Sequence, residues 1–148
     1  MPVIERDAVI DAPAEEVFAI IEDPERLPEY MAGVTGVADV VRTPGRVGDS
    51  YTVTYSVLGM HFPTKVSIIE WEKNRAYVEK MEGSMPGTST VNLHSEGNGT
   101  KITWTMDYSI KGGVLGKAMN RLLLERMNVK SIERGLENLK MICEAARE

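Results

Sequence analysis

Few residues in this chain have the types and spacing to do chemistry, and Glu125 is the first to weigh. It interrupts an apolar series, Leu122, Glu125, Val129 and Ile132, that recurs at steps of three and four. A carboxylate buried without a partner is costly. Glu125 therefore pairs with Arg121 four residues earlier at a helix edge, or it turns inward as a polar anchor for a ligand. The edge pairing is the plainer expectation. With the Tyr55 and Tyr108 hydroxyls, Glu125 completes the set able to move a proton. His61 and His94 are the only histidines, and each falls on the polar side of a strand pattern, beside Lys65 or Asn92. Surface histidines are expected, with no metal site and no cofactor. No HExxH or Ser/His/Asp signature occurs. Cys143 lies on the apolar series and reads as a buried structural thiol. Gly112-Gly113-Val114-Leu115-Gly116-Lys117-Ala118 faintly resembles a phosphate loop, but that motif needs Gly at Lys111 and Ser or Thr at Ala118. The glycines read instead as a sharp turn into a helix.

A second group of residues suits walls rather than reactions. Ile102, Trp104, Met106, Tyr108 and Ile110 alternate with Thr103, Thr105, Asp107 and Ser109. One face of that strand is large and apolar. It either fills a core or surrounds something that is not protein. Nine methionines in the chain, among them Met60, Met81, Met85, Met106, Met119 and Met127, favour a pocket, because thioethers adapt to irregular space. The expected ligand-facing set is Tyr55, Phe62, Met81, Trp104, Met106, Tyr108, Met119, Leu123 and Glu125.

These residues need elements to position them. A strand is expected over about Val3 to Ile10. Pro13 suits the first turn of a helix, with Glu15 and Glu16 at its positive end and Val17, Phe18, Ile20 and Ile21 on its buried side. Pro24 ends it, and a second short helix over Glu25 to Tyr30 follows. From Val34 to Ile110 the period becomes two: Tyr51, Val53, Tyr55 and Val57 share a face, as do Phe62, Val66 and Ile68, with Thr64 between them. Val91 and Leu93 alternate with Thr90, Asn92 and His94. Breaks at Pro44-Gly45, Gly59, Lys73-Asn74, Pro86-Gly87 and Asn98-Gly99 make this an antiparallel meander with one buried face. After Gly113 the period turns helical through Leu115, Ala118, Leu122, Glu125, Val129, Ile132, Leu136, Leu139, Cys143 and Ala146. That predicts one long C-terminal helix of about thirty residues lying on the sheet. Leu124 and Ile142 fall opposite this stripe, among Lys117, Arg121 and Asn138, where they could dock a partner or form a weak dimer.

Length and charge narrow the function. The chain has 148 residues and one cysteine, which suits a single domain over residues 1–148 with no internal disulfide. It lacks an apolar run long enough to span a membrane. Acids occupy the N-terminal segment MPVIERDAVID, where a signal peptide is basic and then apolar, so a cytoplasmic location is expected. The Asn98-Gly99-Thr100 sequon carries little meaning there. A net charge of −5 argues against nucleic-acid binding. The charge is uneven, near −8 before Lys111 and +3 from it onward, as if a basic element docked on an acidic body.

The segments Ile10-Asp11-Ala12-Pro13-Ala14-Glu15-Glu16-Val17-Phe18, Val47-Gly48-Asp49, Ile69-Glu70-Trp71-Glu72, Gly99-Thr100-Lys101-Ile102-Thr103-Trp104 and Leu136-Glu137-Asn138-Leu139-Lys140 together resemble the START/Bet v 1-like (SRPBCC) superfamily. The likeness is nearest its polyketide cyclase/dehydrase or COQ10-like branch. The turn Arg42-Thr43-Pro44-Gly45-Arg46-Val47-Gly48 has fewer glycines than the allergen branch carries. The resemblance implies an α+β helix-grip fold: a curved antiparallel sheet of six or seven strands wrapped around a long C-terminal helix, with two short helices after the first strand. It also implies a hydrophobic cavity that binds or carries a lipid-, quinone- or polyketide-like molecule. A minority of such proteins are enzymes, so cyclase or dehydratase chemistry is the alternative, and a protein-interaction role through the last helix is the third.

Overall fold

The computed structural model describes residues 3–57, 59–83, 85–110 and 121–146. Strand β1 (Val3–Ile10) leads into helix α1 (Ala14–Ile21), a 3₁₀ turn (Pro24–Arg26) and the short helix α2 (Leu27–Tyr30). Six strands follow: β2 (Val34–Val41), β3 (Ser50–Val57), β4 (Met60–Glu72), β5 (Ala76–Gly83), β6 (Gly87–Glu96) and β7 (Gly99–Tyr108). Helix α3 (Arg121–Ala145) closes the chain. The expected start of this helix, from Leu115 to Asn120, lies outside the described residues.

Pro13 caps α1 from an extended conformation, and Asp23 caps the 3₁₀ turn by accepting from the Glu25 amide. The expected second helix is thus split, with Pro24 and Pro28 setting the two short pieces. The sheet order is β1-β7-β6-β5-β4-β3-β2 with antiparallel neighbours. Sequential hairpins make the meander, and β1 adds beside β7, pairing Ile4 with Met106 and Arg6 with Trp104.

A bulge between Ile68 and Glu70 shifts the β4–β5 register. Strict alternation would place Ile69 and Trp71 together on one face. The extra residue instead leaves Ile69 exposed and turns Trp71 inward, paired with Tyr77 and packed against Phe18 with ring centroids 5.7 Å apart.

Helix α3 spans 25 residues, about 38 Å. It covers the concave face with Leu124, Ile132, Leu136, Leu139 and Cys143, all buried. The stripe therefore differs from the sequence reading at its N-terminal end. From Ile132 it steps back by fours through Asn128 to Leu124, rather than through Val129 and Glu125 to Leu122. Leu122 and Leu123 face outward, while Leu124 is wholly buried in a small cluster with Phe62, Tyr55 and Ile110. Ile142 packs against the main core. The outward patch expected from Leu124 and Ile142 does not exist. Docking of the helix uses polar ties as well: Asn138 Nδ2 donates to the Tyr30 carbonyl at 3.0 Å, Lys140 Nζ donates to the Val9 carbonyl at 2.8 Å, and Glu133 pairs with Arg6. Among the described residues no helix is long and apolar enough to cross a membrane.

Candidate functional site

The helix does not fill the concave face. Two adjoining cavities remain, of about 50 Å³ and about 140 Å³ measured as space open to the centre of a water molecule. One water needs roughly 10–15 Å³ on this measure, so the smaller holds a few waters and the larger a ring or a short chain. Tyr55, Met81 and Met106 line both and form the shared wall.

The larger chamber is walled mainly by sulfur and aromatic carbon. Met31, Met81, Met85, Met106 and Met127 line it with Tyr108 and Ile132. Its polar closure comes from the helix. Asn128 occupies a stripe position because Nδ2 donates to the Tyr108 hydroxyl at 3.1 Å and contacts Met85 Sδ at 3.7 Å. Those bonds offset the desolvation of a half-buried amide. Thr64 also lines this chamber, and its buried hydroxyl has no partner among the described residues.

The smaller chamber is built around a carboxylate. Tyr77, Glu79 and Met81 alternate on the inner face of β5, so Glu79 is carried inside by its neighbours. The Tyr51 hydroxyl donates to Glu79 Oε2. Glu79 is half-buried and lines the cavity. Burial pushes its carboxyl up to about 7, against the lowering effect of the Tyr51 bond. Near neutrality both protonation states are therefore populated. The surrounding phenols respond to the same environment: burial and then the Glu79 charge raise Tyr51, Tyr77 and Tyr30 well above the ordinary value, and Tyr55 to about 12. Trp104 stands on the same wall, its indole N–H donating to the buried Ser89 hydroxyl at 2.8 Å. The Tyr77 hydroxyl donates to the Ile21 carbonyl, tying sheet to α1.

The outer end of this chamber is the β2–β3 loop. Asp49, 5% exposed, accepts from the Thr43 amide, the Thr43 hydroxyl at 2.9 Å and Arg46 Nε at 2.9 Å. Arg46, held at φ +68°, also pairs with Glu22 at 3.3 Å and lies 5.4 Å over the Trp71 ring. One buried aspartate thus fixes the loop, and the loop's arginine bridges to α1 across Trp71. Asp49→Ala removes the shared acceptor of three donors. A loss of about 2–3 kcal/mol is expected in urea unfolding, with faster amide exchange over residues 42–49. An unchanged midpoint would deny Asp49 this role.

The expected site residues separate under this geometry. Tyr55, Met81, Trp104, Met106 and Tyr108 line the chambers, as do Met85 and Met127 from the methionine set. Phe62 is buried in the Leu124 cluster instead. Leu123 is 40% exposed. Glu125 is half-buried near the start of α3 and lines neither chamber. Met119 lies outside the described residues. His61 and His94 are exposed, and His61 Nδ1 lies 2.7 Å from the Ser56 hydroxyl. Cys143 is buried, its thiol pushed up to about 11, which suits an inert packing group. Among the described residues no group of three His, Cys, Asp or Glu is placed to hold a metal. The residue that sequence reasoning missed is Glu79.

A seven-stranded sheet gripping one long terminal helix, with short helices inserted after the first strand, defines the helix-grip fold of the START/Bet v 1-like superfamily. The chain belongs to the family described as polyketide cyclase / dehydrase and lipid transport, whose model matches residues 1–144. Among solved structures it resembles TTHA0849 from Thermus thermophilus, with a TM-score of 0.84, 23% identity and coverage of 99% of this chain and 100% of that one. It also resembles the Zhui aromatase/cyclase from a Streptomyces species, with a TM-score of 0.84, 14% identity and coverage of 99% and 96%. A START superfamily protein from Mycobacterium smegmatis aligns with a TM-score of 0.80, 13% identity and coverage of 97% and 98%. At these identities the likeness establishes the fold. None of the functionally curated proteins matches the chain.

Proposed function

We propose that this protein binds a small apolar molecule in the paired chambers and carries it. The observation that supports the reading is the pair of adjoining cavities between sheet and helix, walled by methionine and aromatic side chains. Methionine walls accept ligands of varied outline, because the thioether chain repacks at small cost. The chambers suit one ring or a short chain, at the small end of the lipid-, quinone- or polyketide-like range.

Binding of the neutral dye N-phenyl-1-naphthylamine tests this. Its fluorescence should rise on mixing with the protein and fall on adding 1-octanol. Met85→Trp fills the larger chamber and should weaken dye binding by about tenfold or more. A dye that binds the variant as well as the parent would place the ligand elsewhere, and no binding of either the dye or 1-octanol, the latter followed by calorimetry, would end the carrier reading.

One observation favours a second reading, proton-transfer catalysis of the cyclase or dehydratase type. A carboxyl near 7 in contact with a phenol, inside a cavity, can act as acid and base at neutral pH. In this reading Glu79 and Tyr51 take the roles that the sequence suggested for Glu125 with Tyr55 or Tyr108.

A further inference from the structure

The smaller chamber differs in kind from the larger one, and the difference bears on which apolar molecules fit. Glu79 Oε2 is taken by Tyr51, while no hydrogen bond from a described residue reaches Oε1. The charged groups on this wall are Glu22 at the end of α1, Arg42 and Asp49 of the β2–β3 loop, and Glu79 itself. Arg42 is turned to Asp23 at 3.4 Å and Glu25 at 3.6 Å, and Arg46 is held between Glu22 and Asp49. Four carboxylates thus face two guanidiniums at the outer end, with a further carboxylate inside. An anionic group is repelled at the mouth and again at Glu79, whereas a cation is attracted at both. The rings of Tyr30, Tyr55, Tyr77 and Trp104 on the same wall offer π surface, which also favours a cation. Beyond the shared wall lies the apolar chamber.

We propose, resting on the ligand-binding function above, that the ligand is an amphipathic amine: its ammonium sits against Glu79 Oε1 and its apolar tail passes Tyr55, Met81 and Met106 into the methionine-lined chamber. The other titratable groups facing Glu79 are the phenols of Tyr30 from α2, Tyr51 and Tyr55 from β3, and Tyr77 from β5. All stay neutral over the range tested, so Glu79 alone sets the pH response.

Octylamine and 1-octanol are matched probes, differing in the head group, and the ammonium keeps its charge at and below about pH 8. Titration calorimetry at about pH 8 should show octylamine binding about tenfold tighter than octanol, the worth of one charge-assisted contact. At about pH 5, where Glu79 is protonated, the preference should fall severalfold, to the part that the mouth and the rings supply. Glu79→Gln should show only the small preference that the mouth and the rings supply, the same at both pH values. Equal affinities in the parent protein at pH 8, or a preference that the substitution leaves undiminished, overturns the assignment. If the variant fails to fold, the parent decides: an octylamine affinity that does not rise from pH 5 to pH 8 overturns it too. Where dye and octanol bind but the amine gains nothing, the carrier function stands and the amine falls. Where neither dye nor octanol binds, both fall.

Discussion

Glu79→Gln should make the protein more stable at pH 8 and leave it nearly unchanged at pH 4. The folded carboxyl sits at about 7 against an ordinary value of 4.5, raised by burial. The folded state therefore binds the proton more tightly than the unfolded chain. The stability this contributes is fully present below pH 4.5 and is lost as pH rises through 7. Above that, the parent carries an ionised carboxylate in a largely water-excluded wall. A displacement of that size corresponds to roughly 3 kcal/mol at 1.36 kcal/mol per pH unit, an upper figure because Tyr51 and the cavity relax around the charge. Glutamine keeps the shape and an oxygen for the Tyr51 hydroxyl, and never ionises. The difference between variant and parent in urea unfolding should thus open between about pH 4.5 and 7 and stay flat above. Carboxylates held low by partners, Glu29 by Arg26 and Glu144 by Lys140, act in the opposite direction at acid pH. They are common to both proteins and cancel in the difference. A gap that does not grow with pH would mean that Glu79 is hydrated like a surface acid.

A group that destabilises the fold at neutral pH and sits on a cavity wall is what a functional site looks like energetically. It is also what makes the site hard to read in sequence. The inner faces of β3 and β7 were legible because Tyr51, Val53 and Tyr55, or Ile102, Trp104 and Met106, are apolar at every second residue. On β5 the two faces read Tyr77, Glu79, Met81 and Val78, Lys80, Glu82. Each carries apolar and acidic residues, so hydrophobicity alone assigns neither inward. Only pairing decides, with Tyr77 opposite Trp71 and Met81 opposite Val66. That pairing depends in turn on the bulge after Ile68, which leaves no mark in the period of β4.

The helix shows the same limit from another side. Its C-terminal half was legible, since Ile132, Leu136, Leu139 and Cys143 admit one phase. Further back, Leu122, Leu123 and Leu124 offer three phases at once, and the steps of three and four cannot choose among them. The structure chooses through a polar residue: Asn128 takes the inward position because Tyr108 supplies its partner. A stripe traced by apolar character skips that position, continues through Val129 and Glu125, and so exchanges Leu124 for its neighbours.

Gly87→Ala is expected to cost about 3 kcal/mol or more, a large effect for one methyl group. Pro86-Gly87 reads in sequence as punctuation, but the reason for glycine here is contact rather than conformation. Gly87 opens β6 opposite Tyr108, and a Cβ there would overlap the Asp107 carbonyl oxygen and lie 2.6 Å from the Tyr108 Cα. Both are backbone atoms, which cannot turn aside as a side chain would. The strands would have to part, stretching the Ser109 amide bond to the Pro86 carbonyl, now 2.9 Å, and displacing Tyr108. Tyr108 is almost fully buried and holds Asn128 over the larger chamber. The variant should therefore lose dye affinity as well as stability. Gly45→Ala is the control: nothing lies within 4 Å of the position its new methyl group would take, and its change should stay within about 0.5 kcal/mol. If Gly87→Ala unfolds at the same urea concentration as Gly45→Ala, the β6 and β7 backbones do not approach this closely. The placement of Tyr108 in the chamber wall would then be wrong along with it.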